Sequence, residues 1–153
     1  MNQKNLHNLS WIPVFLIGLI AVIMGLLWLI IDEPWLIDRA ANEATLGMTF
    51  SELFSAQVNQ NLPDYLTTVY RFSGLYVLGS GLFTCAYVLV TFMGTPKARN
   101  SLLAVLGLFL IILFYLAQTR IPISPFIYLI YGFILLYIVS FWASVQLNRS
   151  EPS

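Results

Sequence analysis

The sequence predicts an all-α integral membrane protein, an antiparallel four-helix transmembrane bundle with a helical cap on its outer face. Three observations predict it. Hydrophobic residues make up 59% of the 153 residues and charged residues only 9%, against about 25% charged in a soluble domain. Four apolar runs, 14–31, 72–93, 102–117 and 126–143, contain no Asp, Glu, Lys, Arg or His. The polar residues concentrate in one long stretch, 32–71, between the first two runs. The length suits a single domain, 1–153.

At about 1.5 Å per residue, each run is roughly long enough to cross a ~30 Å hydrocarbon core. Lipid offers no partner to a bare backbone, so runs of this kind coil into helices. The third run is the shortest and borrows Ser101 and Gln118. The first run reads as a retained span rather than a cleaved leader. Its apolar stretch exceeds the ~7–15 residues of a leader, and Ile30-Ile31-Asp32-Glu33 offers no small-x-small cleavage site.

The segment 32–71 has its own helix signals. Asp32 is placed to cap a helix with Pro34 in its first turn and Gly47 at its end. Trp35, Ile37, Ala40, Ala41 and Ala44 would form its apolar side. Asp38, Arg39 and Glu43 read as a solvated face, with Arg39 and Glu43 paired at i,i+4. Thr49-x-x-Glu52 fits a capping box that opens a short helix over 50–59. Pro63 suits the first turn of a helix that runs on into the second span and ends near Met93.

The basic residues Lys4, Lys97, Arg99 and Arg149 fall on one side of the bundle and Arg39, Arg71 and Arg120 on the other. Four against three favours cytoplasmic termini and an outward-facing cap in the cell membrane. Within lipid, small residues let helices approach closely. Gly18, Ala21 and Gly25 offer such a face in the first span. Ser73, Ser80, Gly81, Thr84 and Cys85 offer one in the second, Ala104 and Gly107 in the third, and Gly132, Ser140 and Ala143 in the fourth. Short loops between spans two and three and between three and four make antiparallel neighbours of the spans they join.

Net charge is zero, which gives no electrostatic case for nucleic acid. One Cys and one His cannot assemble a zinc site, and no cofactor or metal is expected. His7 reads as a solvated residue and Cys85 as an inert thiol in the membrane. No phosphate loop, His-pair motif or nucleophile elbow is present, so no enzyme is expected. Arg71 and Arg120, at the cap end of spans two and three, are the residues best suited to hold an anionic headgroup or a carboxylate. Asp64 lies two turns before Arg71 on the same helix face.

Arg71-x-x-Gly74, Gly79-x-Gly81 and the basic loop Thr95-Pro96-Lys97-Ala98-Arg99, within four spans in about 150 residues, resemble small bacterial four-span membrane proteins grouped as domains of unknown function. The resemblance covers most of the chain and implies no activity or site residue. The expected role is an accessory subunit of a membrane assembly, partnered by the bilayer and by another membrane protein or a second copy. The alternative is a module that binds a lipid or small anion near Arg71, Arg120 and Asp64.

Overall fold

The structure is a computed structural model, and it describes residues 2–150. Four long helices are apolar enough to cross a membrane. They are α1 (Gln3–Ile30), α4 (Leu62–Thr91), α5 (Pro96–Arg120) and α6 (Phe126–Ser150). Two short helices, α2 (Arg39–Leu46) and α3 (Phe50–Ser55), form the cap. The fold is an all-α membrane bundle with a helical cap, as the sequence predicts.

Every long helix outruns its apolar run. α1 begins at Gln3, where the Asn2 side chain accepts from the Lys4 amide at 3.2 Å. It continues through Pro13, which has no N–H to give the preceding turn. Hydropathy marks the part of a helix that meets hydrocarbon, and the polar turns beyond it remain helical. α4 ends at Thr91, before Met93, because Phe92 and Met93 take left-handed backbone angles of φ 46° and 50°.

The cap corrects part of the sequence reading. Pro34–Asp38 is a 3-10 turn, and α2 starts only at Arg39. Asp32 caps nothing, and Gly47 ends α2 in the left-handed region at φ 69°. Trp35 and Ala41 are buried as expected, while Ala40 and Ala44 are exposed. The Thr49–Glu52 capping box is present, but α3 stops at Ser55 and a separate 3-10 turn follows over Gln57–Asn59. Thr49 hydrogen bonds hold the Glu52 carboxyl below its usual range. The Phe50 amide does the same for Glu43, helped by Arg39 at 2.8 Å.

Packing order differs from chain order. α1 sits between α4 and α6, and α5 packs on the far side of α6. Around the bundle the order is therefore α4, α1, α6, α5, with a gap between α4 and α5. Joined by a short loop, α4 and α5 were expected to be neighbours, yet they make almost no close backbone approach. A short loop fixes where one helix ends and the next begins. It does not supply side chains that pack. The tightest crossing is instead α1 on α4, where Gly18 and Gly25 face Gly81 and Gly74. A methyl group on Gly81 would stand 2.7 Å from the Gly18 carbonyl.

Other small residues behave differently. Ala104 and Ser73 are exposed, and Gly132 has open space beside it. On α6 the packing falls to Ser140 and Ala143, both fully buried. The Ser140 hydroxyl donates to the Ser10 carbonyl across α1 and α6. α5 joins the core through Leu103, Leu106 and Leu110, against Val14, Ile17, Val88 and Phe133.

Candidate functional site

The sequence-predicted residues lie apart in their contacts. Arg71 on α4, Asp64 in its first turn and Arg120 at the end of α5 are all exposed. No hydrogen bond or ion pair joins them among the described residues. The Arg120 carbonyl accepts from Thr45 of α2 at 3.4 Å, which ties α5 to the cap through backbone rather than through its guanidinium.

What the cap end does assemble is a polar knot that the sequence reading missed. Asp38 was read as part of a solvated face, yet it is 6% exposed. Its Oδ2 accepts from the Ser124 hydroxyl at 2.7 Å, across 86 residues of sequence. Ser124 in turn accepts from the Phe126 amide at 3.1 Å, so one hydroxyl links the cap to the start of α6. The Phe126 ring meets Trp28 of α1 edge-on at 6.0 Å, and Trp28 meets Tyr70 of α4 edge-on at the same distance. Asn42 of α2 closes the circuit by donating to the Tyr70 hydroxyl at 3.0 Å and to the Trp35 carbonyl at 2.9 Å. Two atoms are left over. Asp38 Oδ1 and Trp28 Nε1 are buried and find no hydrogen-bond partner among the described residues. A buried polar atom without a partner is uncommon and calls for an explanation.

One signal pointed toward this knot. Ser124 precedes a proline and then the aromatic start of the fourth span, a position that suits helix capping.

A second feature lies in the other half of the bundle. The separation of α4 from α5 leaves an apolar cleft of about 430 Å³, with α1 and α6 as its floor. This lies within the ~300–1,000 Å³ typical of ligand sites. Three hydroxyl-bearing residues line it, and each bonds to protein. Ser80 donates to the Val77 carbonyl at 2.9 Å and Thr84 to the Ser80 carbonyl at 2.8 Å. The Tyr87 hydroxyl meets Ser101 at 3.0 Å and donates to the Ala98 carbonyl at 3.3 Å, joining α4 to α5 near their loop. The cleft therefore presents hydrocarbon and satisfied hydroxyls.

Arg99, a loop cation in the sequence reading, is 1% exposed. Its Nε and Nη2 donate to Asn148 Oδ1 at 3.0 and 2.6 Å, and its Nη1 donates to the Met93 carbonyl at 3.3 Å. Cys85 faces α1, with its Sγ 3.8 Å from the Phe15 carbonyl. His7 lies within α1. Among the described residues no three His, Cys, Asp or Glu groups come together to hold a metal ion.

Fold and site together define an all-α bundle whose four long helices are apolar enough to cross a membrane, with a polar knot under its cap and an apolar cleft between α4 and α5. Comparison with known protein families, curated proteins and solved structures finds no match.

Proposed function

We propose that this is an accessory module of the cell membrane, with both termini cytoplasmic, that holds a lipid chain in the cleft between α4 and α5. The observation that carries the reading is the cleft itself, about 430 Å³ and lined by side chains that offer no free polar group. A flexible hydrocarbon chain suits such an apolar cleft. A chain already in lipid gains nothing by escaping water. Its gain is contact with three fixed walls in place of a void that would forfeit dispersion contacts. Lys4, Lys97, Arg99 and Arg149 at the terminal end support the cytoplasmic placement of that end.

Native mass spectrometry after mild extraction tests the reading. The wild type is expected to carry phospholipid. A Ser80→Phe, Val105→Phe variant, which fills the cleft from both walls, is expected to lose it. An Arg71→Ala, Arg120→Ala variant is expected to keep it. Loss in the arginine variant with retention in the filled one would move the site to the cap and overturn this reading, as would equal retention in all three.

A further inference from the structure

The cleft has a direction along the bundle. On α4 its lining runs from Ser80 to Tyr87, and on α5 from Leu102 to Leu110. At about 1.5 Å per residue this is roughly 12 Å of helix, most of one leaflet of a ~30 Å hydrocarbon core. Tyr87 stands near the end of α4 at Thr91, and Leu102 near the start of α5 at Pro96. Ser80 and Leu110 fall near the middle of their apolar runs. The cleft therefore occupies the half of the bundle that ends at the α4–α5 loop.

One row of side chains joins the cleft to the surface at that end. Lys97, Ser101, Val105 and Phe109 stand four apart on α5, each one turn beyond the last along a single ridge. Val105 and Phe109 line the cleft. Ser101 meets the Tyr87 hydroxyl at 3.0 Å, at the loop end of the cleft. Lys97 begins the row. It is exposed, and its ammonium has no hydrogen-bond or ion-pair partner among the described residues. No carboxylate competes for it, because every Asp and Glu among the described residues lies within 32–71, at the cap end.

We infer that the lipid held in the cleft is an anionic phospholipid of the leaflet at the loop face, with one chain along Val105 and Phe109 and its headgroup at Lys97. The inference rests on the lipid-chain reading of the cleft and adds the headgroup and the leaflet. Chain and headgroup are one covalent molecule, so a chain seated below Ser101 brings its headgroup to the start of the row. The opposite placement would carry a charged phosphate to the level of Ser80 and Leu110, and a charge at the bilayer centre is costly. A zwitterionic headgroup carries its own ammonium beside its phosphate. An anionic one brings net negative charge to a lysine that no carboxylate offsets, and this attraction favours it.

Competition between two lipids tests the inference. The full-length protein in detergent is given equal amounts of phosphatidylglycerol and phosphatidylethanolamine with matched chains, and bound lipid is read by native mass spectrometry. The wild type is expected to retain phosphatidylglycerol about fivefold over phosphatidylethanolamine, the effect of one lysine near an anionic surface. Lys97→Gln is expected to keep a bound lipid and bring the two lipids to parity. Lys4→Gln removes an exposed cation at the same end but off this row, and is expected to keep the preference. The Ser80→Phe, Val105→Phe variant is expected to lose both lipids. A wild type that holds no lipid, or a filled variant that holds as much as the wild type, overturns the chain reading and this inference with it. Where filling the cleft does remove lipid, the headgroup assignment alone is overturned by any of three results: equal retention of the two lipids in the wild type, an unchanged preference in Lys97→Gln, or an equal loss of preference in Lys4→Gln.

Discussion

Alanine at Gly25 or Gly81 is expected to destabilise the protein by about 1–3 kcal/mol, the range for overpacking a close-packed interior. Alanine at Gly79 or Gly132 is expected to leave stability unchanged or raise it by about 0.5–1 kcal/mol, because glycine costs helical backbone entropy. All four residues sit in helices, so propensity alone would favour alanine at each. Contact separates them. A methyl on Gly25 lands on the Leu78 amide nitrogen and stands 2.7 Å from the Gly74 carbonyl. A methyl on Gly81 stands 2.7 Å from both the Gly18 carbonyl and the Val22 nitrogen. These are backbone atoms, and only a shift of the whole helix relieves them. Gly79 and Gly132 have nothing within 4 Å. Melting curves of the four variants in one detergent check the contrast. Equal melting of Gly25→Ala and Gly79→Ala would show that α1 and α4 do not cross there.

Arg99→Ala is expected to cost about 2–4 kcal/mol, from lost hydrogen bonds to a charged group and from the cavity left behind. Arg99→Lys is expected to recover little. Its single ammonium cannot reproduce the planar fork that reaches Asn148 and the Met93 carbonyl together. The bond to Met93 holds a carbonyl at the point where the chain leaves α4 in left-handed geometry. The bonds to Asn148 tie the start of α5 to the end of α6, and Asn148 also donates to Asn100 at 3.0 Å. Arg71→Ala and Arg120→Ala, both at exposed positions, are expected to melt with the wild type. Arg99→Ala melting with them would remove Arg99 from the structural core.

The sequence makes the membrane spans legible because hydropathy reports the surrounding solvent, and lipid leaves a charge-free run as its mark. It makes Gly47, Pro63 and the Thr49–Glu52 box legible because a helix terminus is satisfied by residues within a few positions. Asp38 is different. Its burial is made by Ser124, 86 residues away, and no local pattern around it distinguishes a buried carboxylate from a solvated one. Arg99 likewise reads as a loop cation until Asn148 is placed beside it. Gly18, Gly25 and Gly81 follow the small-residue rule, while Gly132 satisfies the same rule and packs against nothing. Periodicity gives the face of a helix, and only the partner decides whether that face is used. The separation of α4 from α5 has no sequence signature, because it follows from which neighbours α1 and α6 take.

The most direct test of the account asks whether the cap and the basic α4–α5 loop lie on opposite sides of a membrane. In a Cys85→Ser background, a single cysteine is introduced at Val58, which is 90% exposed in the cap, or at exposed Lys97 in the first turn of α5, beside the loop. Each variant is treated in intact cells with a thiol reagent that cannot cross the bilayer. Val58→Cys is expected to react at once, and Lys97→Cys only after the cells are opened. Reaction of both in intact cells would place cap and loop on one face and contradict the single crossing by α4 between them.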